Sequence, residues 1–193
     1  MKLLIGASEN KMLYIKKFSE YLEKSGVSCK VVLDVEICNG FPSKNITQWI
    51  HPFKKFNQLI ESFKPDAVFV DRQTQFGLAA IKAGIPLLIQ LRGNYWDEVN
   101  WAKKNGSIKD KIVLSIKEKI AEDCFKGSKM ILPFSNHLAE IVKEKYPDKK
   151  IKVFHDGLEI DDWYKDEPIN FKHPCIGLLQ NASIWKKAQE MIS

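Results

Sequence analysis

An α/β fold built on a doubly wound, Rossmann-like parallel sheet is what this sequence predicts, from three observations. Short apolar runs rich in branched residues recur along the chain, longer amphipathic stretches stand between them, and each amphipathic stretch stops at a glycine or a proline. That alternation is what parallel strands joined by crossover helices require.

Strands are expected over residues 2–7, 29–34, 67–71, 86–91, 129–133 and 152–155. Runs this continuously apolar are normally covered on both faces. Between the first two, Met12, Ile15, Phe18, Ser19 and Leu22 recur at three and four residues, giving a helix that stops at Gly26. Phe53, Phe56, Leu59, Ile60 and Phe63 repeat the spacing and stop before Pro65. Further helices are expected over 73–83, ending at Gly84, over 108–125, ending at Gly127, and over 136–146, ending at Pro147. Past residue 155 the rhythm breaks. Residues 156–172 are acidic, hold Pro168 and lack periodicity, which reads as a linker or exposed loop. Residues 174–179 then look like a new strand and 184–192 like the beginning of a helix. The expected division is a first domain over 1–163, a linker over 164–173, and over 174–193 the start of a second Rossmann-like domain.

The 193 residues, 45% hydrophobic and 28% charged with a net charge of +6, suffice for a core without disulfides or metals. Disorder and a disulfide scaffold are excluded. The first residues are too short an apolar run for a signal peptide, and no stretch approaches the roughly 18 apolar residues of a membrane span. A cytoplasmic protein is expected. Cys29, Cys38, Cys124 and Cys175 have no C-x-x-C spacing and His51, His137, His155 and His173 no ligand spacing, so no metal is expected. The Asn45-Ile46-Thr47 sequon is set aside with the missing export signal. Lys103, Lys104, Lys109, Lys111, Lys117 and Lys119 face only Asp110 and Glu118. Such a patch suits a solvated helix face or peripheral contact with an anionic membrane, on its inner side for a cytoplasmic protein. Nucleic acid is not an expected partner, because no recognition motif accompanies the lysines. A homodimer is left open.

Ligands of open parallel sheets bind beyond the carboxyl ends of the strands. That rule singles out Ser8, Asn10, Lys11, Asp71, Arg72, Gln73, Arg92, Gly93, Asn94, Ser135, Asn136, His137, Asp156 and Gly157 as cleft candidates, a set suited to an anionic or hydroxyl-rich ligand. Around Arg92, the run Gln90-Leu91-Arg92-Gly93-Asn94-Tyr95-Trp96-Asp97-Glu98 reads as a loop whose aromatics either hold a sugar ring or fasten it to the core. Ser135 or Asn136 either caps the next helix or opens a phosphate site at its start. No G-x-S-x-G, Walker A, H-E-x-x-H or G-x-G-x-x-G pattern occurs. With Ala7-Ser8-Glu9-Asn10 after the first strand, a dinucleotide pyrophosphate has no glycine to approach, which disfavours a dehydrogenase.

The stretch Lys129-Met-Ile-Leu-Pro-Phe-Ser135-Asn-His-Leu-Ala-Glu-Ile-Val142, with Tyr146-Pro147 and then Lys150-Ile-Lys-Val-Phe-His155-Asp156-Gly157-Leu158-Glu159, resembles the end of the amino-terminal domain of GT-B glycosyltransferases, especially the retaining family 4 group. Leu91-Arg92-Gly93 resembles that group's acceptor-pocket loop, and 174–192, with Gly177 and Trp185-Lys186-Lys187-Ala188, the start of its second domain. Departures are a lone Gly6 where a glycine-rich loop is common, Arg92 where a histidine often stands, Asp156 for Asn, and Ala188 for Gly. No donor-binding arginine stands among Gln180, Asn181 and Ala182. Glu159 and Glu167 have the spacing of the family's donor-site glutamates but precede the second domain, so that match is accidental.

The resemblance implies transfer of a sugar from a nucleotide-diphosphate donor, a co-substrate rather than a resident cofactor, to a sugar, lipid-linked or other hydroxyl acceptor. It also implies retained configuration and no required metal. Arg92, Gly93, Asn94 and Ser135 would line the acceptor side, with Ser8, Asn10, Arg72, Asp156 and Gly157 elsewhere in the cleft. The catalytic residues are not assigned, and the 193-residue chain alone is expected to be inactive. Two other readings are a non-catalytic Rossmann-like binding or interaction module and a sugar-nucleotide epimerase of the same shape.

Overall fold

The computed structural model describes residues 1–38, 52–155 and 157. The chain divides into two units, Met1–Asp156 and Gly157–Ser193. The expected linker and the strand and helix of 174–193 lie outside the described residues.

In chain order the first unit runs β1 (Lys2–Ala7), a 3-10 turn (Glu9–Lys11), α1 (Met12–Lys24), β2 (Ser28–Leu33), α2 (Asp34–Ile37), α3 (Lys54–Phe63) and β3 (Ala67–Val70). Then come α4 (Gln75–Lys82), β4 (Leu87–Leu91), α5 (Tyr95–Asn105), α6 (Ile108–Gly127), β5 (Met130–Pro133) and α7 (Asn136–Lys145). The strands form one all-parallel sheet in the order β2-β1-β3-β4-β5. The fold is therefore the expected α/β, Rossmann-like one.

Side chains of successive strand residues point to opposite faces, and here both faces are buried. Leu3, Ile5, Ala7, Phe69 and Leu132 pack beneath Ile15 of α1, with Phe18 and Phe154 against them. Leu4, Val68, Val70, Leu87, Ile89 and Ile131 form the other face beneath Phe56, Phe76, Cys124 and Phe125. The helices end as their glycines dictate. Gly26 and Gly84 take left-handed φ values of 83° and 70°. The amides of Val27 and Ile85 close 3.0 Å bonds back to Leu22 and Ala80, each a Schellman-type ending that consumes a free helix carbonyl.

Gly6 has a different task. A Cβ there would stand 2.5 Å from Cδ1 of Phe76, whose fully buried ring lies edge-on to Phe56 at 5.0 Å. The lone glycine of the first strand is thus the seat of α4 on the sheet.

Three expectations need correction. The sixth strand, 152–155, does not form. Ile151 makes one isolated bridge with Ile131, held by Ile131 N–H to Lys150 O (3.0 Å) and Lys152 N–H to Ile131 O (3.2 Å). The next bridge needs an N–H from residue 133, and proline has none, so only Phe154 N–H to Pro133 O (2.8 Å) follows. Asp34, expected to end a strand, instead opens the single turn of α2. The presumed loop after Arg92 is only Arg92-Gly93-Asn94, because α5 begins at Tyr95.

Gly6→Ala is expected to destabilise the protein by about 1–3 kcal/mol through overpacking against Phe76. Thermal unfolding checks this, with a loss of about 2–4 °C per kcal/mol for a domain of this size.

Candidate functional site

The sheet order reverses at β1: the chain leaves β1 for β2 on one side and returns to β3 on the other. Ligands of such sheets lie at that reversal, beyond the carboxyl ends. Ser8 follows β1 and Asp71 follows β3, and the two are joined there. Ser8 donates its hydroxyl to Asp71 Oδ2 at 2.5 Å and its amide to Oδ1 at 3.3 Å. Ser8 is 2% and Asp71 9% exposed, so this charge-assisted pair is fixed inside the fold.

Around the pair stand Asn10, whose Oδ1 lies 2.9 Å from Ser8 Oγ, and Arg72, whose Nη2 reaches the same Oδ1 at 3.5 Å. Arg72 Nε stands 4.0 Å from Asp71 Oδ1 with half of its side chain exposed. Four sequence-predicted residues, Ser8, Asn10, Asp71 and Arg72, are therefore brought into one cluster.

Two members of this network were not foreseen. Thr74, the N-cap of α4, accepts from the Phe76 amide at 3.4 Å and donates to Asp34 Oδ2 at 3.2 Å. Asp34 is 2% exposed and its Oδ1 has no partner. Burial pushes its carboxyl above the usual carboxylate range, and Asp71 adds to the rise while Arg72, the Thr74 bond and a backbone bond oppose it. The sequence signal was there: in Leu33-Asp34 and Val70-Asp71 a carboxylate ends an apolar run.

The other predicted residues fall elsewhere. Arg92 donates from Nε and Nη2 to Oε1 of the fully buried Gln90, at 3.4 Å each, and lies 4.4 Å over the Tyr14 ring. It thereby ties the end of β4 to the first turn of α1. A Cβ on Gly93 would meet only the movable end of Glu98, at 2.6 Å.

Asn94 is the N-cap of α5: its Oδ1 accepts from the Asp97 amide at 3.4 Å and its Nδ2 donates to Asp97 Oδ2 at 2.6 Å. Ser135 caps α7 in the same way, accepting from Leu138 at 3.3 Å. Asp156 lies outside the described residues, and Gly157 is exposed in the second unit.

The aromatics of the Arg92 region turn to the core. Tyr95 and Trp96 pack on Phe125 at 5.9 and 5.3 Å, and Trp96 lies 6.2 Å from Tyr146. Burial, with Glu118 adding, pushes the Tyr95 phenol up to about 12. These rings fasten α5 rather than form a sugar platform. Buried thiols behave likewise: burial raises Cys38 and Cys124 to about 12, so neither is a nucleophile at neutral pH. Among the described residues no three His, Cys, Asp or Glu side chains stand close enough to share a metal ion.

No protein-family model matches the sequence, and no curated protein matches it. Among solved structures, the UDP-GlcNAc 2-epimerase from Methanocaldococcus jannaschii is similar with a TM-score of 0.54 at 16% identity, over 79% of this chain and 45% of that one. Glycyrrhiza uralensis UGT73P12, complexed with glycyrrhetinic acid 3-O-monoglucuronide, gives a TM-score of 0.43 at 16% identity, over 78% and 42%. The chain spans less than half the length of either protein. At this identity the first likeness is one of fold, and it fits the Rossmann-like, GT-B-type architecture without reaching the family 4 group.

Two outcomes follow from this geometry. Asn94→Ala and Ser135→Ala should each cost about 0.5–2 kcal/mol of stability as lost N-caps, measured by urea unfolding, with ligand binding by the folded fraction unchanged. Asp34→Asn should gain on the wild type as pH rises. The raised carboxyl holds its proton in the folded state after the unfolded chain has lost it, so wild-type stability falls from about pH 4 upward while the amide is indifferent. Unfolding curves for both proteins at pH 4 and pH 7 measure the difference.

Proposed function

We propose that this chain is the acceptor-side part of a GT-B glycosyltransferase of the retaining family 4 type, transferring a sugar from a nucleotide-diphosphate donor to a hydroxyl acceptor. One observation carries the reading. The Ser8, Asn10, Asp71 and Arg72 cluster sits at the reversal of the sheet and offers a half-exposed guanidinium from a rigid base. Arg72 stands 3.5 Å from Asn10 Oδ1 and 4.0 Å from Asp71 Oδ1, which leaves N–H groups of its half-exposed guanidinium for an acceptor hydroxyl or an anionic group carried on it. In the reaction the acceptor oxygen bonds to the anomeric carbon as the bond from that carbon to the nucleotide diphosphate breaks, and the hydroxyl proton passes to an oxygen of the departing diphosphate. No metal takes part in this proposed transfer, and the nucleotide sugar enters as a co-substrate rather than a resident cofactor. The fold shared with 45% of a UDP-GlcNAc 2-epimerase chain supports reading this chain as part of a nucleotide-sugar enzyme.

With Asn94 and Ser135 engaged as caps, the acceptor side rests on Arg72, Asn10 and Ser8, with Arg92 at the next strand end. The test is calorimetric titration of the 193-residue chain with hydroxyl-rich glycan acceptors and, separately, incubation with nucleotide sugars. Acceptor binding without turnover of the nucleotide sugar is expected, and Arg72→Ala should weaken that binding about tenfold, the size of one lost charge-assisted bond, as measured on the folded variant. Conversion of the nucleotide sugar to an epimer by this chain, or acceptor binding indifferent to Arg72→Ala, would overturn the reading.

A further inference from the structure

Helix α6 shows an inverted pattern over its first half. Ile108 is 80% and Ile112 59% exposed, while the side of the helix that meets the core carries Ala121, Cys124 and Phe125 only further on. Ile108, Ile112 and Ile116 follow at intervals of four, so they form one stripe along the outside of the helix. With Ile120 they line an open apolar groove bordered by Lys111, Lys119 and Gln75. Trp101, on the neighbouring α5, is 55% exposed. Ile120 also packs against the core, whereas Ile108 and Ile112 lie exposed.

The charge around the stripe is as one-sided as its apolarity. Lys103 is neutralised by Glu118 at 2.5 Å, Lys119 by Asp123 at 2.8 Å and Lys126 by Glu122 at 2.5 Å. Asp110 is spent in the capping box with Ser107, whose side chain caps α6. Lys104, Lys109, Lys111 and Lys117 form no ion pair among the described residues, and Lys109 and Lys111 flank Ile108 and Ile112 on the two sides of the stripe.

We infer that the outer face of α6, with the adjoining part of α5, is an interfacial surface that seats the protein on an anionic lipid bilayer. Branched apolar side chains rimmed by free lysines are complementary to a surface that is acyl below and anionic above. A second copy of the chain is a poorer occupant, because two such faces brought together would oppose lysine to lysine. Among the described residues no helix is long and apolar enough to cross a membrane, so the contact is peripheral. This inference does not depend on the chemistry assigned to the strand ends.

Co-flotation of the 193-residue chain with vesicles of phosphatidylcholine, with and without phosphatidylglycerol, is the test. The anionic vesicles should be bound roughly tenfold or more tightly, and the difference should shrink at high salt, where exposed charges are screened. The double variants Ile108→Glu with Ile112→Glu, and Lys109→Ser with Lys111→Ser, change exposed positions and should keep the wild-type melting temperature. Each should lose about tenfold in binding, the first through the apolar part and the second through the charge. Equal binding to both vesicles, binding to neither, or unaltered binding by the folded isoleucine variant overturns the inference. A self-association seen by light scattering that the isoleucine variant abolishes, without vesicle binding, would also overturn it in favour of a second copy.

Discussion

Burial of both faces of β1 and β3 governs where this protein can keep polar chemistry. With Leu4 and Ile5 fully buried on opposite faces, no polar side chain can leave the middle of β1 without losing water on either side. Val68, Phe69 and Val70 impose the same condition one strand over. Polar groups are therefore displaced to the carboxyl ends, where the chain turns out of the sheet. Ser8, Asp34 and Asp71 occupy those ends, Ser8 bonded to Asp71 and Asp34 to Thr74, and they do so still buried. The same constraint explains Phe76. Its ring fills the space over Gly6 and anchors the start of α4, and that fixes Thr74 where it can reach Asp34.

The electrostatics of the crevice follow from this placement. Two buried carboxylates face one another's field with a single arginine beside them. Asp71 has the better position, with two donors from Ser8 and the guanidinium of Arg72 close by. Asp34 has one hydroxyl donor and an unpartnered oxygen, and its affinity for a proton rises accordingly. The two acids are thus inequivalent: Asp71 orients donors, while burial makes the charged form of Asp34 the costlier one. Arg92 belongs to a separate system, braced by Gln90 and Tyr14 at the end of β4.

Much of the fold was legible because local signals and tertiary needs agreed. The period of Ile15, Phe18 and Leu22 pointed α1 at the sheet, and Gly26 and Gly84 ended helices with the left-handed turn their sequence position suggested. The five paired strands were likewise visible as apolar runs. What escaped depended on readings that local sequence leaves ambiguous. Tyr95 and Trp96 look like a binding loop until Phe125 and Tyr146, distant in sequence, supply their packing partners. Asn94 looks like a ligand-facing amide until the helix it caps is in place, whereas capping by Ser135 was one of the two roles its position offered. At the site, the strand-end rule found Ser8, Asn10, Asp71 and Arg72, but the pairing of Ser8 with Asp71 across 63 residues is a product of strand order alone. The link from Asp34 to Thr74 has the same origin.

Pro133 has a consequence beyond the strand it prevents. A sheet recruits a further strand by offering donors and acceptors in alternation along its rim, and an open rim of β5 would invite pairing with any extended segment nearby. Ile131 offers both groups and is satisfied by residues 150 and 152, whereas Pro133 offers an acceptor alone, taken by the Phe154 amide. The rim is thereby spent by the chain's own next segment and cannot be extended in register past one bridge. One imino acid thus acts as a stopper on the growing edge, protecting the sheet against strand-to-strand aggregation.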